Sequence, residues 1–108
     1  MDRNARSYLG LALRAGMLKS GDDTVYDAIK NGSAKLVIIA SDASANALKK
    51  AMDKCRHYRI PLAEGGTRQE LGACLGKAER VIVAITDSGF ANLIGKRLNF
   101  LTEVDHIE

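Results

Sequence analysis

Near the start of the chain the apolar positions Ala5, Tyr8, Leu9, Ala12 and Leu13 recur at helical spacing, and Gly16 ends the run. A short strand at Met17-Leu18-Lys19 follows. Ser20-Gly21-Asp22-Asp23 then reads as a helix start, with Ser20 as cap and Asp23 reaching back; this second helix buries Val25, Ala28 and Ile29 and ends near Gly32. Leu36-Val37-Ile38-Ile39-Ala40 is apolar at every position, the pattern of a central strand covered on both faces. After a capping region at Ser41-Asp42-Ala43-Ser44, the residues Leu48, Ala51, Met52 and Cys55 mark the inner face of a long third helix.

The second half continues the alternation. Ile60-Pro61-Leu62-Ala63 reads as a short strand, which Pro61 places at an edge because it cannot donate to a ladder. Gly65-Gly66 makes a turn, and Thr67-Arg68-Gln69-Glu70 is a capping box for a helix that buries Leu71, Cys74 and Leu75 and stops at Gly76. Val81-Ile82-Val83-Ala84-Ile85 is a second fully apolar strand, and Thr86-Asp87-Ser88 caps a last helix burying Phe90, Leu93, Ile94 and Leu98. Strands alternating with helices imply an α/β domain over residues 1–101, with a mostly parallel sheet and helices on both sides. Residues 102–108 read as an acidic, frayed tail. Ligand sites in such sheets gather where strand ends meet helix starts, which points to the loops around Gly21, Asp42, Thr67 and Asp87.

Composition narrows the functional classes. A chain of 108 residues with 46% apolar residues and one proline can bury one core but not two. Its five-residue apolar run at Leu36 to Ala40 falls far short of the roughly 20 residues that span a bilayer. The opening Met1-Asp2-Arg3-Asn4 lacks the apolar core of a signal peptide, so a cytoplasmic protein with no membrane partner is expected. In that reducing compartment Cys55 and Cys74, which show no motif spacing, are expected as buried free thiols. The net charge of +3 divides unevenly: residues 1–101 carry +6, and Glu103, Asp105 and Glu108 make the end acidic. A basic body of this kind suits a polyanionic partner such as nucleic acid.

Catalytic and metal chemistry find little support. His57 and His106 are far apart, and Cys55 and His57, two residues apart on a helix, point to different faces, so no metal site is expected. Cys74 or Ser88 would need a neighbouring base, and His57 sits instead in a helix rich in Lys and Arg. Gly65-Gly66-Thr67-Arg68 lacks both the GxGxxG and the Gly-Lys-Ser/Thr signatures and reads as a plain turn before a capped helix. Asp22-Asp23 suits the positive end of a helix dipole. Lys49, Lys50, Lys54, Arg56 and Arg59 on the third helix, opposed only by Asp53, read first as a solvated face and only second as a nucleic-acid contact. Lys77 and Arg80 before the last apolar strand, and Lys19, Lys30 and Lys35 around the second helix, lie instead on loops, where function tends to sit.

The run from Gly21 through Ala40, GDDTVYDAIKNGSAKLVIIA, resembles the hallmark segment of the kink-turn-binding ribosomal-protein family. Asp42-Ala43-Ser44, Cys55 to Pro61, Gly66-Thr67-Arg68-Gln69-Glu70-Leu71-Gly72 and Gly76-Lys77-Ala78-Glu79-Arg80-Val81 recur in order in its short bacterial branch. The resemblance spans about residues 6–98. It implies a three-layer α/β/α sandwich with a four-stranded mixed sheet. It also implies a non-catalytic protein without cofactor that binds bent or bulged structured RNA, ribosomal or another kink-turn RNA, beside ribosomal proteins.

In that family the start of the second helix meets sheared G·A pairs, and the loop before the last strand covers bulged nucleotides. Here those segments are Gly21, Asp22, Asp23, Thr24 and Asp27, and Gly76, Lys77, Ala78, Glu79 and Arg80, with Lys19 and Lys30 beside them. The positions held here by Asp23, Thr24 and Asp27 are commonly Asn, Glu and Lys in the family. Lysine donates to guanine O6 and N7, whereas an ionised aspartate only accepts. The alternative reading is a non-enzymatic module for protein interaction or ribosome assembly that keeps the scaffold and has a diverged RNA surface.

Overall fold

Helices and strands alternate along residues 1–102, the part of the chain that the computed structural model describes. In chain order they are α1 (Arg3–Arg14), β1 (Leu18–Ser20), α2 (Asp22–Lys30), β2 (Leu36–Ile39), α3 (Ala45–Tyr58), β3 (Leu62–Glu64), α4 (Arg68–Cys74), β4 (Ile82–Ile85), α5 (Ser88–Gly95) and β5 (Asn99–Phe100). The sheet runs β1-β4-β2-β3-β5 and is mixed. β2 and β3 are parallel, while β4 lies antiparallel to both β1 and β2, and β5 antiparallel to β3.

Every residue of β2 is buried because its two faces meet different layers. Val37 and Ile39 pack with Val25, Ile29, Ala51 and Cys55 of α2 and α3. Leu36 and Ile38 pack with Leu9, Leu71 and Ile94 of α1, α4 and α5. This is the expected three-layer sandwich with β2 at its centre, and the period-two alternation of a strand is what divides the core.

Several details differ from the sequence reading, each for a physical reason. The sheet is not mostly parallel and has a fifth strand among the described residues. α4, at seven residues, does not cross the sheet, so β4 starts at the end where β3 finishes and runs back against β2. β3 is not an edge: Pro61 precedes the strand, its carbonyl accepts from the Val37 N–H at 2.9 Å, and β5 covers the other side. Ser20 does not cap α2. It belongs to the β1 ladder opposite Val83, and the cap position is Gly21, at φ 94°, with no side-chain cap hydrogen bond. Leu93 is exposed, since α5 buries Ile94 and Gly95, and one residue turns a helix by about 100°. Cys55 is buried and Cys74 half-buried, both as free thiols. Of the expected tail, Thr102 is held by a bond from the Leu62 N–H to its hydroxyl at 3.3 Å, and residues 103–108 lie outside the described residues.

Candidate functional site

The sheet register gathers several loops at one end of the sandwich. Ser20, the last residue of β1, lies opposite Val83, and Ile39, the last of β2, lies opposite Ile82 at the start of β4. Glu64 ends β3 level with Ile39. The chain therefore enters α2, α3 and α4, and returns into β4, along a single edge. Gly21 and Val81 adjoin neighbouring strands, whose spacing is about 4.8 Å.

Backbone bonds tie these loops together. The Ala40 N–H donates to the Val81 carbonyl at 2.8 Å, the Ser41 N–H to Gly66 at 2.7 Å, and the Arg80 N–H to Arg68 at 3.0 Å. Arg68 is the hub. Its N–H donates to the Asp42 carboxylate at 2.9 Å, and its guanidinium lies 3.5 Å from Asp42 and 3.6 Å from Glu79. The Arg68 N–H and then the guanidinium hold the Asp42 carboxyl below its ordinary range. Thr67 and Glu70 complete the expected capping box at 3.1 and 2.8 Å, and the Thr67 N–H keeps the Glu70 carboxyl low. Asp42 and Arg68 stand in the motifs that carried the resemblance. Their role in bracing the edge was hidden because they are 26 residues apart.

Gly76 takes φ 70°, and Lys77, Ala78 and Glu79 are exposed on the loop that follows it. The Lys77 N–H is anchored to the Gly72 carbonyl at 2.8 Å. Arg80 departs from the picture of a free surface cation. It is half-buried, its Nη1 donates to the Glu79 carbonyl at 2.8 Å, and its buried Nε has no hydrogen-bond partner among the described residues.

On the neighbouring loop, Asp22, Asp23 and Thr24 are exposed in the first turn of α2, where helix N–H groups lack intrahelical partners. Asp27 is exposed one turn further on and lines, with Asp23, Tyr26, Lys30, Lys50 and Lys54, a groove between α2 and α3. Burial, then the charge of Asp22, pushes the Tyr26 hydroxyl up to about 12. Lys19 is exposed one ladder step from Ser20, beside the edge. Lys30 ends α2, about 12 Å along the axis from Asp22, and is not part of the edge cluster.

Among the described residues no three of His, Cys, Asp or Glu are grouped to hold a metal ion, and no helix is long and apolar enough to cross a membrane. His57 is exposed on α3 and packs edge-on to Tyr58, with ring centroids 4.7 Å apart.

Residues 3–94 match the model of the ribosomal protein L7Ae/L30e/S12e/Gadd45 family. The chain is 50% identical over 84 residues to the RNA-binding protein YlxQ of Bacillus subtilis, covering 78% of this chain and 84% of that protein. It is 33% identical over 96 residues to the large ribosomal subunit protein eL30 of Methanosarcina mazei, covering 87% and 89%. A solved structure of a protein of unknown function from Bacillus halodurans superposes with a TM-score of 0.84 at 42% identity, covering 88% of this chain and 96% of that one.

Proposed function

The chain belongs to the ribosomal protein L7Ae/L30e/S12e/Gadd45 family, in its bacterial YlxQ-like branch, and from that premise we propose that it is a non-catalytic RNA-binding protein recognising kink-turn RNA. The observation that carries this reading is that Gly21–Thr24 leaves β1 and Gly76–Arg80 leads into β4 at the same end of these two paired strands. One element would offer N–H donors to phosphates or base acceptors, and the other a loop with Lys77 to follow bulged nucleotides. Relatives named as RNA-binding and ribosomal proteins support an RNA partner, and with it work in the cytoplasm near the ribosome.

The test is a titration of the full chain with a kink-turn RNA containing tandem G·A pairs and with a plain duplex, at fixed salt and then over a salt series. Preference for the kink-turn is expected, with log affinity falling by roughly 0.7 to 0.9 per phosphate contact against log salt. Lys77→Ala is the informative substitution, because Lys77 is exposed whereas Arg80 is half-buried and its loss would also disturb packing. Equal binding of the two RNAs would reject kink-turn recognition.

A second reading, a protein-interaction or ribosome-assembly module, is favoured by the acidic surface that Asp22, Asp23 and Asp27 give to the start of α2. Sequencing RNA crosslinked to the protein in cells separates the two. Recovery of specific structured RNA supports the first reading, and recovery of none supports the second.

A further inference from the structure

The outward face of α3 is basic well beyond its counter-charge. Lys49, Lys50, Lys54, Arg56 and Arg59 are exposed on or beside this helix; Asp53 is the one acid in its sequence, and Asp23 and Asp27 of α2 share a groove with Lys50 and Lys54. Lys49 pairs with Asp53 at 3.1 Å in a bridge whose partners are 78% and 60% exposed, so water competes for it and a phosphate could replace it. Among the described residues the other four cations have no ion pair. Lys50 is positioned by the Tyr26 ring of α2, with Nζ 4.5 Å from the centroid, a contact that leaves its N–H donors free.

The same face carries an aromatic platform. Asn46, Lys50, Lys54, His57 and Tyr58 share one exposed side of α3 that is open to solvent. Tyr58 is 37% exposed at the end of the helix and is held edge-on by His57. Lys50 and Lys54 are one helical turn apart, and Tyr58 is one turn further on, so two charges and a ring follow one stripe about 12 Å long. A row of cations leading to an exposed ring is the chemistry that holds unpaired nucleotides: charges track the backbone, and the ring stacks a base of any identity.

We propose that the outward face of α3 is a second nucleic-acid surface, holding the backbone of a single-stranded RNA segment on Lys49, Lys50 and Lys54 and stacking one base on Tyr58. It belongs to the α2–α3 layer rather than the sheet edge, and it does not depend on the kink-turn reading. In a structured RNA it engages an unpaired flank, and with an isolated strand it acts alone.

The test is anisotropy titration of the full chain with a short labelled oligouridine across a salt series, beside the same titrations with the kink-turn RNA. Wild type is expected to bind oligouridine more weakly as salt rises. The triple substitution Lys49→Ala, Lys50→Ala, Lys54→Ala should weaken that binding at least about tenfold and reduce the salt slope by about two, at roughly 0.7 for each single-strand phosphate contact. Tyr58→Leu keeps the charge, so it should weaken binding by about fivefold or more while the slope stays constant. Should the triple variant fail to fold by circular dichroism, Lys54→Ala alone decides, through a slope reduced by roughly 0.7.

Failure of wild type to hold oligouridine, or unchanged binding by the lysine variants, overturns the proposal whatever the kink-turn RNA does. Binding to vesicles of anionic lipid with none to oligouridine also overturns it and assigns the face to membrane. Oligouridine binding that depends on α3 in a protein that ignores kink-turn RNA supports this surface and rejects the earlier reading alone.

Discussion

Gly72 of α4 lies so close to Glu79 that a Cβ at position 72 would fall 2.5 Å from the Glu79 Cα and 2.7 Å from its backbone nitrogen. Both clashing atoms are backbone, so no side-chain rotation relieves them, and the loop over residues 76–80 must shift. Gly72→Ala is therefore expected to destabilise the fold by about 1 to 3 kcal/mol, the usual range for overpacking. Urea denaturation measures this. RNA affinity should fall in the same variant under conditions where it remains folded, whereas wild-type stability in Gly72→Ala would contradict the close approach.

Asp27→Lys is expected to strengthen binding to a kink-turn RNA. The change replaces an exposed acceptor-only anion with a donor for guanine O6 and N7, a contact typically worth about 1 to 3 kcal/mol. Paired affinities on the kink-turn and on a plain duplex, at one salt concentration, isolate the base contact. An equal gain on both RNAs would reduce the effect to charge alone and argue against presentation of α2 to the G·A pairs.

Acid should loosen the edge of loops first. Asp42 and Glu70 ionise below their ordinary values of 3.8 and 4.5, chiefly because the N–H groups of Arg68 and Thr67 donate to them. The unfolded chain lacks these bonds and takes up protons at higher pH. The stabilisation is thus complete above about pH 5 and is lost as pH falls through the depressed folded values. Urea midpoints should stay level from neutral pH down to about pH 5 and then decline, with a shallower decline in Asp42→Asn. Midpoints that rise on acidification below that point would reverse the sign and exclude this account.

The two thiols should react at very different rates. Burial pushes Cys55 up to about 12 and leaves its side chain without access to solvent, while Cys74 is half-buried near Arg6, whose charge offsets part of its own upward shift. A thiol reagent added to the folded protein is expected to modify Cys74 first and Cys55 only after denaturant is added. Equal rates under native conditions would mean that the layer between β2 and α3 opens far more readily than its packing implies.

Much of this molecule can be read from local pattern. The β-branched apolar run at Leu36 to Ala40 has the pattern of a strand covered on both faces, and Thr67 with Glu70 spells out a helix start that the structure contains. Strand direction was invisible, because strand, helix, strand reads alike whether the helix crosses the sheet, as α3 does, or turns back at one edge, as α4 does. β5 escaped notice since two exposed residues carry no periodicity. At the candidate site, the Gly21 and Gly76 segments were legible through the resemblance, but the half-burial of Arg80 and the bracing by Arg68 depend on contacts between distant positions. Lys30 looked like a neighbour of the α2 start in sequence, and the rise of the helix carries it away.

The placement of β4 between β1 and β2 also imposes an order in time. β1 has no ladder partner until residues 82–85 are available, and β2 lacks one of its two neighbours until the same moment. A chain emerging from its N-terminus can form α2 and α3 early, yet the edge that joins Gly21 to the residue 76–80 loop exists only once β4 has been inserted, a late and non-local closure. A truncated or still-growing chain therefore exposes the basic helix α3 without the completed edge. An RNA that needs both Gly21–Thr24 and Gly76–Arg80 together can be gripped only by a chain already synthesised past residue 85.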